Sequence, residues 1–240
     1  MCTYLGTRPQ SQAAREVAPP VPLSRDHEAA LGLKAAPEIV ARFGGEVPDA
    51  DLQRYVEQVG QRLVKKSAAA QSGYQFDFRV LADPEAMNAF ALPQGQVFIT
   101  LGLLRRLGSE AELAGLIGHE IGHVIGRHGA EILVREGFTD ALDPGALAKE
   151  VPHLIDLRYG SEDELESDTL GVQLMRDAGY DPRGMVYLMR VMEASGGRSR
   201  APEFFSSHPN PDDRIGRLRK LASGVRGGGE MGEERFGRYV

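Results

Sequence analysis

The chain has 240 residues, enough for one well-buried domain with short tails and a squeeze for two. Its 42% hydrophobic and 26% charged residues are the balance of an ordinary soluble protein, and a formal net charge of -6 without a basic stripe argues against a nucleic-acid partner. The longest apolar stretch, Leu113 to Gly126, is interrupted by His119, Glu120 and His123, so nothing reaches the ~20 apolar residues of a membrane-spanning helix.

The only cysteine is Cys2, which leaves no internal disulfide and no thiolate metal site; any metal must use histidine and carboxylate. Cys2 reads either as an incidental exposed thiol or as the acylated first residue of a mature bacterial lipoprotein. Residues 3 to 25 hold Pro9, Pro19, Pro20 and Pro22 among polar residues with no hydrophobic period, so 1–25 is predicted to be an extended tether. Two helices are predicted next, over 26–43 and 49–70. The second has Asp49 or Asp51 as its cap and carries Leu52, Val56, Val59 and Leu63 at helical spacing. Gly73 ends that region. Tyr74 to Leu81 alternates apolar with polar residues and Gln96 to Thr100 is short and β-prone, which predicts two strands joined through Pro84 and Pro93. After Leu101 the pattern is helical throughout. Gly224, Gly227, Gly228 and Gly229 sit among charges, so 225–240 is expected to be a flexible tail and 26–224 the folded domain.

Chemistry concentrates in Ser109 to His128, which opens with the capping-box pair Ser109 and Glu112. Leu113, Leu116, Ile117, Ile121, Val124 and Ile125 make a core-facing stripe, while His119 and His123 lie one turn apart on another face, where both imidazoles can meet one ion. Glu120 sits about 100° further round, placed to reach water beside the metal instead of the metal itself. With six His and 20 Glu, random order would give H-E-x-x-H in only about 0.01 of such chains. Two histidines merely satisfied in a core would also leave Gly115, Gly118, Gly122 and Gly126 unexplained, at about 4 kcal/mol of lost helix propensity. Something must approach this helix closely.

A catalytic zinc site takes three protein ligands and leaves a fourth position open, so one more is required. The pattern H-E-x-x-H-x-x-G-x-x-H fails, because Gly129 stands where the third histidine is needed and His128 is one residue early. On a continuing helix His128 lies about 140° from His123, which suggests a structural role at the helix end. The other solution is a glutamate on a later helix, and Glu162, Glu164 and Glu166 are candidates. Glu164 stands one turn before Asp168, so one carboxylate could bind zinc while the other accepts the second ring N–H of a ligand histidine. Leu165, Val172 and Met175 supply an apolar flank. Against this, Ser161 and Glu164 also make a capping box, a sufficient structural reason for a glutamate there.

The segments H-E-I-G-H, E-D-E-L-E-S-D-T-L-G, N-A-F-A-L-P and S-H-P-N-P-D-D-R together resemble the forty-eighth metallopeptidase family, which includes prenyl-protein proteases and bacterial quality-control proteases. The likeness runs from about Asp26 to Ala222 and is greatest to the periplasmic lipoprotein members. It implies an α+β, mostly helical, zincin-like gluzincin with a small β-sheet beside the active-site helix. It also implies one Zn2+ held by His119, His123 and Glu164, Glu120 as the base that activates a zinc-bound water, and Asp168 as the partner of a ligand histidine. Gln96 to Thr100 then looks like the active-site edge strand, and Cys2 like a lipidated residue of an envelope protein. His208 or Arg214 would donate to the oxyanion; the bland alternative is that Arg214 pairs with Asp212 or Asp213 at a helix start. His208 has a second reading, a fourth ligand that displaces the catalytic water. Three positions depart from the family pattern: Gly160-Ser161 for Ser-Arg, Gln94-Gly95 for Gly-Gly, and Ser167-Asp168 for Ala-Asp. None is a zinc ligand. The implied substrates are unfolded polypeptides of the envelope. The rival reading is a chaperone-like module that grips such chains and seldom cuts them, against which intact Glu120 argues.

Overall fold

A computed structural model of the chain describes residues 23–136, 154, 157–195, 204–209, 214–223 and 228–240. Cys2, the tether up to residue 22, Pro211, Asp212, Asp213, Gly224 and Gly227 lie outside the described residues, as does the helical reading of 137–153. The first two helices start where side chains can satisfy their free N–H groups. Ser24 caps α1 (Arg25–Arg42) through its hydroxyl, and of the two predicted caps for α2 (Ala50–Lys66) it is Asp49 that accepts, from Asp51 and Leu52 at 2.9 and 3.1 Å. Helix α2 stops short of residue 70 because Ser67 is extended, and its hydroxyl starts a 3-10 turn, Ala68–Gln71.

Three strands follow instead of two: β1 (Asp77–Leu81), β2 (Ala89–Ala91) and β3 (Gln96–Thr100). Their order is β1-β3-β2, with β1 parallel to β3 and β2 antiparallel to it in the register Ala89↔Ile99, Phe90↔Phe98, Ala91↔Val97. The expectation that Gln96 to Thr100 is the edge strand is therefore corrected: it is central, and the edge towards the helix Glu110–Gly126 is β2. Three residues, A-F-A, are too few to show a period, which is why the sequence hides this strand.

The remaining described elements are α3 (Leu101–Leu104), α4 (Glu110–Gly126), α5 (His128–Arg135), α6 (Ser161–Asp177), α7 (Arg183–Ser195), α8 (Phe204–Ser207), α9 (Arg214–Ser223) and α10 (Glu233–Phe236). Helix α4 begins with Ser109, whose hydroxyl accepts from Glu112 N–H at 3.2 Å, while the Glu112 carboxylate reaches back to Gly108 N–H at 2.9 Å. Every residue from Glu110 to Val124 is buried, so the expected one-sided stripe is in fact a helix enclosed on all sides. It packs on α6 and α7, with α2 and β2 completing the surround. Its glycines permit this. A Cβ on Gly118 would meet the Gly171 backbone at 3.2 Å, and one on Gly122 would meet Ser167 Cα at 2.9 Å, so α4 and α6 touch main chain to main chain.

The expected flexible tail is corrected over residues 228–240. Phe236 is buried, Tyr239 stacks on Tyr55 at 4.5 Å, and Ala111 N–H at the start of α4 donates to Met231 O at 3.0 Å. Beside that bond the buried Glu110 carboxylate accepts from Tyr55 and Tyr180 hydroxyls, each at 2.9 Å, and pairs with Arg235 at 2.6 Å. Glycine content suggested freedom; at Gly229 it serves contact, since a side chain there would collide with the Tyr180 backbone.

Candidate active site

Helix α4 presents His119, Glu120 and His123, helix α6 presents Glu164 and Asp168, and the turn after α8 brings in His208. Asp163 takes the capping contact at the start of α6, its carboxylate accepting from Gly160 N–H at 2.9 Å, so the proposed capping use of Glu164 does not arise. Glu164 is instead fully buried against α4, while Glu162 and Glu166 are exposed.

His119 Nε2 and His123 Nε2 stand 3.1 Å apart, Glu164 Oε1 is 3.2 Å from His123 Nε2, and Glu164 Oε2 is 3.5 Å from His119 Nε2. Ligand atoms about 2.0–2.1 Å from a tetrahedral ion are separated by about 3.3 Å, so this triangle has the size that zinc needs. His208 joins it: the four residues place one ligand atom each within 4.8 Å of one another. His208 Nδ1 lies 3.3 Å from Phe204 O and 2.9 Å from Ser207 Oγ, while the buried Nε2 has no hydrogen-bond partner among the described residues.

Electrostatics point the same way. Burial lowers the pKa of His119, and burial with the neighbouring His119 ring lowers those of His123 and His208 further, so all three offer lone pairs. Burial pushes Glu164 well above the usual carboxylate range, against the pull of Arg214. A buried carboxylate among unprotonated imidazoles is the donor set that a dication stabilises, and the residues present fit zinc. Glu120 is raised to about 8 by burial, with the Arg214 charge and the Ala91 N–H opposing. Among the described residues, its two oxygens have no hydrogen-bond partner of normal geometry.

Asp168 Oδ1 lies 3.1 Å from His119 Nδ1, as the resemblance implies. Burial would raise Asp168, but the Arg214 and His119 contacts hold it down to about 2. Arg214 grips Asp168 at 2.7 and 2.8 Å, pairs with Glu164 and reaches Pro209 O at 3.3 Å. Its donors are thus directed at the back of the ligand set and not at a substrate, and its carboxylate partners come from α6.

The sequence reading missed His128. Its 140° offset assumed a continuing helix, but Arg127 takes the left-handed conformation (φ 61°) and ends α4. The chain folds back, and His128 Nδ1 comes to 3.0 Å from His123 Nδ1. Gly126 was the available signal, since a side chain there would strike the His128 ring.

The site is covered. The Tyr159 ring lies on His123 at 3.8 Å between centroids, Phe204 stacks on His208 at 4.1 Å, and Tyr159 N–H donates to Ser207 O at 3.0 Å. On the facing side, Asn88 O and Leu92 N–H bond to β3, so by alternation the backbone groups of Ala89 and Ala91 point away from it, towards the catalytic helix.

Comparisons with known proteins agree with this geometry. The model of Peptidase family M48 matches residues 50–222. The beta-barrel assembly-enhancing protease of Escherichia coli (strain K12) is 28% identical over 211 residues, 78% of this chain and 43% of that protein. Mitochondrial metalloendopeptidase OMA1 of Arabidopsis thaliana is 31% identical over 168 residues, 65% of this chain and 34% of the relative. The OMA1 of Schizosaccharomyces pombe is 28% identical over 212 residues, 82% and 61% respectively. The chain spans less than two thirds of the length of each of these relatives. With most of its length matched by the family model, around a buried His, His and Glu set, the chain belongs to peptidase family M48.

Proposed function

We propose that the chain is a zinc-dependent endopeptidase that cuts unfolded polypeptides of the bacterial envelope, with His119, His123 and Glu164 as ligands and Glu120 as base. The observation that carries this reading is the convergence of buried ligand atoms beside the fully buried Glu120. Zinc, when bound, supplies a Lewis acid that polarises the scissile carbonyl and acidifies water at neutral pH.

The chain's own groups do the rest. Glu120, buried one residue from His119, is placed to take a proton from the attacking water and return it to the leaving amine. Asp168 and Arg214 hold His119 and Glu164 in place, so Arg214 acts by positioning and not by meeting the oxyanion. The backbone groups of Ala89 and Ala91 that β3 leaves unused line the site and, once its cover opens, suit an extended peptide, recognised through its main chain and so with little regard for side chains. Tyr159 and the His208 turn must move for that peptide to enter, which favours a gated enzyme.

Glu120→Gln is expected to keep its zinc and lose casein cleavage by about 10²-fold to 10⁴-fold. Cleavage at the wild-type rate by zinc-loaded Glu120→Gln would remove the mechanism. If the wild type suppresses aggregation of unfolded protein without cutting it, the chaperone-like reading replaces the endopeptidase.

The relatives' name, beta-barrel assembly-enhancing protease, supports an envelope location, and no helix among the described residues is long and apolar enough to cross a membrane. The proposed tether is an acyl group on Cys2. Expressed behind a lipoprotein signal, the chain should partition with membranes, and equal partitioning of a Cys2→Ala version behind a non-lipoprotein signal would sink the anchor.

A further inference from the structure

A ligand imidazole that coordinates through one nitrogen carries its proton on the other, and whatever accepts that proton fixes the ring's tautomer and tilt. For His119 the acceptor is Asp168. His123 has no carboxylate in the corresponding place; its Nδ1 faces His128 Nδ1 at 3.0 Å. Where no shared cation lies between them, two ring nitrogens approach so closely only when one brings a proton and the other a lone pair. His123 Nε2 points at Glu164 and His119, where its lone pair is needed, so the proton sits on His123 Nδ1 and His128 accepts it.

His128 then keeps its own proton on Nε2, which faces Glu166 Oε2 at 3.5 Å, and Ser167 Oγ stands 3.3 Å from His128 Nδ1. The turn that presents His128 is built for the purpose. A left-handed non-glycine residue costs about 1 kcal/mol or more, and Arg127 is held there by a 2.7 Å ion pair with buried Glu28 on α1.

We infer that His128 is the positioning residue of ligand His123. One turn of α6 thereby supplies Glu164 as ligand and Asp168 behind His119, while Glu166 and Ser167 lie beside His128. The two ligand rings are not equivalent, since His119 is backed by a carboxylate and His123 by a second imidazole. A carboxylate raises ligand basicity more, which makes His123 the more weakly donating of the two.

The inference rests on the zinc reading of His119, His123 and Glu164, and the test separates the two. Leucine and asparagine are near-isosteric, but only asparagine offers an acceptor where His128 Nδ1 stands. Zinc affinity, measured by chelator competition on the full chain, should fall about 10-fold to 100-fold in His128→Leu and stay within about 3-fold of wild type in His128→Asn. Thermal unfolding of the metal-free proteins checks that both fold, with His128→Ala standing in if the leucine variant does not. A packing role treats the isosteres alike or favours leucine. Wild-type affinity in the leucine variant, or an equal loss in both, overturns the inference. Unchanged affinity in Glu164→Ala would instead overturn the zinc reading itself.

Discussion

Glu164→Ala should lose zinc by at least about 10³-fold in affinity, which corresponds to about 4 kcal/mol. A three-ligand site that loses its only anionic member keeps two imidazoles whose burial already disfavours positive charge nearby. The substitution has a second consequence, because Arg214 divides its guanidinium between Glu164 and Asp168 in a buried setting. Removing one carboxylate leaves that cation half compensated, so the variant is also expected to be less stable, and Glu164→Gln is the control that keeps the volume. The measurement is zinc content after dialysis, alongside circular dichroism to show that the helices remain. Wild-type zinc retention in a folded Glu164→Ala would exclude Glu164 as a ligand. The structure leaves the other two sequence candidates poor substitutes, since Glu162 is exposed and Glu166 turns to His128.

What the sequence made legible was what local spacing can encode. His119, Glu120 and His123 follow from one helical turn, and the capping residues Ser109 and Asp49 follow from hydrogen-bond chemistry two or three residues long. The close approach of another helix was legible too, because Gly118 and Gly122 have no purpose on an isolated helix. Glu164 was harder. The spacing of 162, 164 and 166 leaves three candidates, and only the packing of α6 against α4 shows which one is buried. The resemblance had selected the same residue.

The misses share a cause, which is dependence on distant partners. β2 exists because β3 pairs with it, and A-F-A shows no period of its own. The segment from Gly228 is ordered by Tyr55, Glu110 and Tyr180, none of which is near it in sequence. His128 was misplaced because one left-handed residue, Arg127, redirects the chain, and its conformation is held by Glu28 from α1. An extrapolated helix cannot anticipate a turn fixed 99 residues away.

His208→Ala should raise casein cleavage, by about 10-fold to 100-fold at equal zinc loading, if a closed site worth about 1.4–3 kcal/mol is being opened. Two roles were open for this residue, and they predict opposite signs. As an oxyanion donor its loss would lower kcat by about 10²-fold to 10³-fold. Geometry favours the other role. His208 Nδ1 is directed at Phe204 O and Ser207 Oγ, which leaves Nε2 aimed at the ligand set, 3.6 Å from Glu120 Oε1 and with no hydrogen-bond partner among the described residues. Its ligand atom falls within the same 4.8 Å group as those of His119, His123 and Glu164, the distance of a fourth ligand more than of a donor waiting across a substrate. With zinc bound, His208 as a fourth donor would leave no open position, and the arrangement would then be a resting state that cannot cleave. The cover is coherent as well. Phe204 lies flat on His208, and Tyr159, which lies on His123, is tied by its N–H to Ser207, so the turn carrying His208 and the ring over His123 can leave together. The assay compares wild type, His208→Ala and Glu120→Gln on casein. Faster cleavage by His208→Ala establishes the gate, a large loss establishes the donor, and a rate equal to wild type leaves His208 as packing for Phe204.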